Sequence, residues 1–287
     1  MTNYIDLHTH SNASDGTCTP TEVVRLAAQK GLRAMALTDH DTVSGVEEAM
    51  NTASAFSLPI QVIPGTELSV AYKKQDIHIV GLFVDHRNKS FQDMTQLLIR
   101  RRLERNEEMI RRFNDNGIPV TYEELTLGNP NAVITRAHFA RYLVEHQIVK
   151  IPNEAFKKYL DPGCPYFIPR EYIQPEDGIE IIRKAGGVPI LAHPLHYKLP
   201  QKELETLIAR LKNAGLMGIE LKYSNHTVQD EYYASQLASR FDLLPSGGSD
   251  FHGANKPAID IGTGRGTLAV PYEYLENLAA AVDYPLS

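Results

Sequence analysis

Short apolar runs alternate with longer stretches of helical periodicity along most of the chain, a pattern that predicts βα units around a mainly parallel sheet. The predicted strands are residues 4–7, 34–37, 61–63, 77–84, 188–191, 218–221 and 242–245. Helices are expected between them. Residues 20–30 have Thr19 as an N-cap and Gly31 as a stop, and 204–213 ends before Gly215. The spacing breaks once, where roughly a hundred residues separate the strand ending at Val84 from the one starting at Val188, far more than an ordinary connection. The first part of this insertion places Leu98 or Ile99, Leu103, Ile110 and Phe113 on a helical stripe that stops at Gly117. Shorter helical pieces follow at 138–145 and 154–160, before the turn-rich DPGCPYFIP. The expected architecture is α/β: a barrel formed by 1–90 and 166–287, carrying a helical insertion subdomain at 91–165.

Composition narrows the class more than the chemistry. A chain of 287 residues can form one barrel with an insertion, and a net charge of -6 argues against broad attraction to nucleic acid unless bound cations reverse the local field. Cys18 and Cys164 are the only cysteines, too few for a disulfide framework. The chain opens with neither a basic nor an apolar leader, and no apolar run has the length of a membrane span, so a cytoplasmic setting is expected.

The strand ends change the picture. The chain opens YIDLHTHSNASDG, and residues i and i+2 of a strand share a face, so His8 and His10 can aim at one point with Asp15 just beyond. TDHD supplies His40 after the second strand, and PGTE supplies Glu67 after the third. DIHIVG puts His78 near the start of the fourth, ILAHP puts His193 after the fifth, and SGGSDFHG puts Asp250 and His252 after the seventh. In α/β barrels such positions converge on one rim. Burying nine ionisable groups together without cations would be very costly. Imidazole plus carboxylate without thiolate suits Mn, Zn or Fe, and nine ligands exceed one ion with an open position. Two or three divalent metals are expected, manganese foremost and zinc or iron as alternatives, with Glu67 as the bridging carboxylate. Asp39, Asp41 and Ser249 sit in turn-like strings and read as structural, while His86, His146 and His196 read as surface or packing residues. The arginine-rich IRRRLERNEEMIRR has interleaved glutamates at helical spacing and reads as a solvated face.

HTH, TDHD, the bridging Glu, AHP and SDFH occur in the order of the PHP (polymerase and histidinol phosphatase) phosphoesterases, which the chain resembles from Tyr4 to about Gly264. The resemblance implies a distorted (β/α)7 barrel with a trinuclear centre. It would place His8, His10, Glu67 and Asp250 around one metal, Glu67, His78 and His193 around a second, and Asp15, His40 and His252 around a third. Within the family, HTHSNASDG, GIELKYSNHT and the insert motif TRAHFAR are similar to RNase AM and the 3′,5′-nucleoside bisphosphate phosphatases. Ala137 stands in that motif where the group has proline. The resemblance implies removal of the 3′-phosphate from small nucleoside 3′,5′-bisphosphates, with 5′ to 3′ trimming of short 5′-phosphorylated RNA as the alternative. A hydroxide bridging two ions would be the nucleophile. Arg136 is the candidate for gripping a substrate phosphate, His138 for contacting phosphate or protonating the leaving oxygen, and Lys222 and His226 for further substrate contacts. A small phosphorylated nucleotide, or short RNA, is the expected partner; no membrane and no protein partner is implied.

Overall fold

The computed structural model describes residues 3–73, 75–126, 129–169 and 171–286. Among these, eight strands form one sheet: β1 (Tyr4–Thr9), β2 (Ala34–Leu37), β3 (Gln61–Tyr72), β4 (Gln75–Leu82), β5 (Val188–Leu191), β6 (Gly218–Tyr223), β7 (Leu244–Gly248) and β8 (Val270–Pro271). Their spatial order is β7-β6-β5-β4-β3-β2-β1-β8. The sheet curls until the chain after β7 meets β1, where the Asp250 N–H donates to the His8 carbonyl at 2.8 Å and the His10 N–H to the Phe251 carbonyl at 2.9 Å. The result is a nearly closed barrel, with β8 antiparallel beside β1.

Side-chain alternation along each strand separates two apolar layers. In β2, Met35 and Leu37 pack outward with Val23, Ala27 and Ala49 of α1 (Pro20–Gln29) and α2 (Val46–Ala55), whereas Ala34 and Ala36 join the interior cluster. Ile63, Val80, Leu82, Val188 and Ile190 fill that interior, and Leu275 and Leu278 of α10 (Tyr272–Ala280) close it at one end. Burying each such side chain contributes about 1.5–3 kcal/mol. The plug leaves only the opposite end for chemistry. The outer layer is completed by α7 (Pro175–Lys184), α8 (Gln201–Asn213) and α9 (Val228–Arg240), with Ile182, Leu207 and Leu237 in one cluster.

The sheet departs from a parallel arrangement at one place. β3 runs to Tyr72, well past the expected Ile63, and β4 returns beside it, so β3–β4 and β4–β5 pair antiparallel. Too few residues separate Tyr72 from Gln75 for a crossover helix, so the two strands form a hairpin. Because β4 runs backwards, the beginning of β4 lies at the same rim as the ends of its neighbours. That reversal carries His78 to the rim.

Between β4 and α7 come α3 (Lys89–Asp115), α4 (Tyr122–Thr126), α5 (Arg136–Glu145) and α6 (Pro152–Ala155). The Asn88 side chain caps α3 by accepting the Phe91 N–H. Phe91 and Leu98 belong to the barrel's outer core, while Met109 and Phe113 pack with Val120, Leu125, Phe139 and Leu143 in a core of their own. The buried stripe of α3 differs from the expected one. Arg102, Arg105 and Asn106 are buried where Leu103 and Ile110 are only half-buried. The arginine-rich helix is therefore not wholly a solvated face. Arg102 donates from Nε to Asp41 at 2.7 Å and from its terminal nitrogen to Ser69 Oγ at 2.9 Å, and Asn106 donates to the Ile134 carbonyl at 3.1 Å. Arg111 and Arg112 do pair with Glu108 in the helical spacing expected of a solvated surface.

Candidate metal centre

All nine expected ligands meet at the open rim. Glu67 lies at the centre: its Oε2 is 3.2 Å from His8 Nε2, His10 Nε2 and His40 Nδ1, and its Oε1 is 2.8 Å from His78 Nδ1 and 3.0 Å from His193 Nε2. His252 Nε2 is 3.1 Å from Asp15 Oδ1, and His10 Nε2 is 3.5 Å from Asp250 Oδ1. Three overlapping groups of the right size to hold an ion result: His8, His10 and Glu67; His40, Glu67 and His78; and His10, Asp15, His40 and His252. His10 and His40 join Glu67 in belonging to two groups each, where the resemblance implies sharing of Glu67 alone, and His193 and Asp250 stand beside these groups rather than in them.

The local backbone explains the aim of several groups. The register of β1 against β2 shifts between Asp6 and Thr9, a bulge beside His8. His193 and Asp250 both have positive φ, 29° and 58°, conformations that cost energy in residues with a Cβ and that are common where geometry serves a site. Gly248 gives β1 room: a Cβ there would lie 2.4 Å from the Cβ and backbone nitrogen of His8.

Hydrogen bonds behind the rings fix which nitrogen faces inward. Glu220 Oε1 accepts the His8 Nδ1–H at 2.8 Å, and the Asp250 carbonyl accepts the His252 Nδ1–H at 2.9 Å. Each ring then turns the lone pair of Nε2 toward a carboxylate oxygen, Glu67 for His8 and Asp15 for His252. An imidazole nitrogen and a carboxylate oxygen that close need a cation or a proton between them. His40 Nδ1 and His193 Nδ1 are buried with no hydrogen-bond partner among the described residues. The donor set therefore fits divalent metal ions.

Electrostatics follow from the crowding. Burial opposes charge on Glu67, but His78, His8 and His40 hold its carboxyl well below the usual range. Burial likewise opposes charge on Asp15 and Asp250, yet His40 and His252 keep the first ionised and Lys256 with His252 the second. For His8, burial is outweighed by Glu67 and Glu220, which push its pKa well up, whereas burial and His252 push that of His10 well down.

Several contributors escaped the sequence reading. Glu220 also accepts the His193 backbone N–H at 2.6 Å, so one carboxylate orients two candidate ligands. Its signal was a lone carboxylate between Ile219 and Leu221 of β6. Tyr223 donates to Asp250 Oδ2 at 2.8 Å and Lys256 Nζ lies 2.6 Å from the same atom, leaving Oδ1 for the centre. His196, expected as a surface or packing residue, is exposed, and its exposed face lines the cleft, where its ring is 5.7 Å from that of His193. The cleft holds about 390 Å³ and is also lined by Asn225, Ile259 and Arg265.

Asp39 and Asp41 are structural. Asp39 accepts the Ser11 N–H and the hydroxyls of Ser11 and Ser14, tying the loop after β1; burial pushes its pKa up to about 6. Ser249 is structural too: its N–H donates to Asp6 Oδ1 at 2.8 Å, and its side chain also interacts with that buried carboxylate.

The proposed substrate contacts divide. Arg136 starts α5 and stands 3.8 Å from Asp76, whose other oxygen is 3.7 Å from His78 Nε2. His138 is buried three residues along, where its Nδ1 accepts the Thr135 N–H at 3.0 Å and its ring also hydrogen-bonds the Ser14 backbone. This caps α5 and steadies Asp15, to which the Thr135 hydroxyl donates at 2.8 Å. Lys222 and His226 are not brought to the cleft wall. Lys222 is ion-paired with Glu231 of α9 at 2.9 Å, and His226 Nδ1 lies 2.8 Å from the Leu221 carbonyl.

The sequence profile of the PHP domain matches residues 6–172. The chain belongs to the PHP family. Its relatives include a 5′-3′ exoribonuclease of Haemophilus influenzae, 38% identical over 88% of this chain and 91% of that one. A 3′,5′-nucleoside bisphosphate phosphatase of Chromobacterium violaceum is 36% identical, with 90% of each chain covered. Among solved structures, an amidohydrolase from Chromobacterium violaceum with bound sulfate superposes with a TM-score of 0.84, at 36% identity and 90% coverage of both chains. This PHP protein is thus a metal-dependent phosphoesterase in fold, family and ligand chemistry.

Proposed function

We propose that this PHP protein removes the 3′-phosphate of nucleoside 3′,5′-bisphosphates, such as adenosine 3′,5′-bisphosphate, yielding AMP and phosphate. The observation that carries the reading is the convergence of six imidazoles and three carboxylates around Glu67, at a rim that opens on a cleft of small-molecule size. The nine side chains His8, His10, Asp15, His40, Glu67, His78, His193, Asp250 and His252 would hold two or three divalent ions, with manganese foremost. Such ions would polarise the phosphoryl oxygens and lower the pKa of an attacking water. The protein's own part is placement. Glu220 sets the His8 tautomer and the His193 backbone, while Tyr223 and Lys256 hold Asp250 by one oxygen. The helical segment 91–165, read as a unit mounted on the barrel, brings Arg136 near His78, where its guanidinium can grip a phosphate with a bidentate fork.

Incubating the manganese-loaded protein with adenosine 3′,5′-bisphosphate should release phosphate and AMP. No release, with metal content verified, overturns the reading. The likeness to an exoribonuclease favours a second activity, 5′ to 3′ trimming of short 5′-phosphorylated RNA. Labelled oligonucleotides of increasing length decide between the two, since turnover confined to mononucleotides removes the second.

A further inference from the structure

The segment after β7 carries chemistry that the ligand set does not use. His252 is followed by GANKPAIDIGTGRG, which contributes Lys256, Pro257, Ala258, Ile259 and Arg265 to one wall of the cleft. It is firmly built. The Gly262 N–H donates to the buried Asp6 carboxylate at 2.8 Å, and Asp260 and Gly264 exchange two backbone hydrogen bonds of 2.8 Å. Gly262, Gly264 and Gly266 all have positive φ, which lets the chain double back so tightly that a Cβ on Gly264 would lie 2.6 Å from Ser224 Oγ.

Arg265 sits between the last two of these glycines. Its Nε donates to Asn225 Oδ1 at 2.7 Å, which sets the plane of the guanidinium. Among the described residues its terminal nitrogens have no hydrogen-bond partner and no carboxylate lies within ion-pair distance, unlike Arg111 or Arg210, which pair with glutamates. Lys256 cannot offer the same service, because its ammonium lies on Asp250. Arg265 is thus a cation braced by a neutral amide, with its fork uncommitted, on the wall of a cleft larger than one phosphate needs.

The geometry points to Arg265 as a specificity residue that reads a second, non-reacting phosphate monoester on the substrate, with Asn225 as the positioning residue that holds its fork. This rests on the phosphoesterase reading. The chemistry read is a terminal 5′-phosphate, which a mononucleotide or a short RNA can supply.

The test compares kcat/KM for adenosine 3′,5′-bisphosphate and adenosine 3′-monophosphate, which share the reacting phosphate and differ in the second. The wild-type protein should prefer the bisphosphate, and Arg265→Gln should narrow that preference about 10- to 100-fold, as loss of a charged hydrogen-bonding partner does. Arg265→Lys should restore part of it, and Asn225→Ala should raise KM for the bisphosphate more than it lowers kcat. An unchanged preference in Arg265→Gln overturns the assignment. Calorimetry with AMP against adenosine separates this from failure of the phosphoesterase reading: should no substrate turn over, Arg265→Gln must still weaken AMP selectively, or the assignment falls. A 5′-phosphorylated trinucleotide set against its 5′-hydroxyl form repeats the comparison for RNA. A narrowed preference in either arm supports the role of Arg265 and identifies the source of the phosphate.

Discussion

Glu220 shows how one side chain governs others that do the visible chemistry. Glu220→Gln replaces a carboxylate that holds His8 and the His193 backbone, so metal affinity or turnover should fall about 10- to 100-fold while the protein stays folded. Metal titration alongside turnover checks this, and unchanged values would show that the ligands orient themselves. His138 makes a separate claim. Burial lowers its pKa to about 4 from an ordinary 6.5, so between these values the folded state binds fewer protons than the unfolded chain. Stability from the neutral ring is present above pH 6.5 and is lost as pH falls to about 4. His138→Asn, which keeps an acceptor and removes the proton site, should flatten the acid-side loss in that window, measured by denaturant unfolding at several pH values. Sequence reasoning picked out the nine candidate ligands because they cluster at the ends of apolar runs, or, for His78, at the beginning of one. It missed Glu220 and Asp6 because a carboxylate inside a strand gives no sign of what lies across the barrel.

Strands and helices set where these residues point. The βα pattern predicts a helical crossover between Ile63 and Ile77, but the hairpin that fills this interval reverses β4 and delivers His78. Nothing in the spacing of apolar residues tells a reversed strand from a parallel one. α3 misleads for a different reason: its arginines alternate with glutamates, and only the barrel rim shows that Arg102 answers Asp41. Arg102→Met removes one guanidinium from this buried carboxylate and should lower stability, by up to about 3–5 kcal/mol. The loss would appear as a lower denaturation midpoint, and a midpoint within error of wild type would mean that Asp41 is solvated on demand. Gly248→Ala tests the packing of β7 against β1, where the added Cβ meets His8 at 2.4 Å. Overpacking of this kind costs about 1–3 kcal/mol or more, and displacement of His8 should lower metal affinity as well.

For the molecule as a whole, the barrel concentrates six imidazoles and three carboxylates on one rim, an arrangement that metal should stabilise because the unfolded chain cannot reproduce it. Manganese at about 100 times its dissociation constant should add about 2.7 kcal/mol per site, seen as a rise in melting temperature that a chelator reverses. A melting temperature indifferent to both would count against a metal centre. Fold class and family were legible because ligands spaced far apart in sequence occur in a fixed order. The wall that selects the substrate was not, since Asn225 and Arg265 are ordinary surface residues until the chain folds.

Asp6 draws these scales together. Its carboxylate accepts the N–H groups of His8, Ser249 and Gly262, so the first strand, the turn carrying Asp250 and the segment presenting Arg265 all hang from a single buried anchor. The amide protons of Ser249 and Gly262 should therefore exchange with deuterium only when the barrel itself opens, and in Asp6→Asn both should begin to exchange early and in concert. Loosening that one clasp would blur metal retention and substrate choice at the same moment, although Asp6 touches neither ion nor nucleotide.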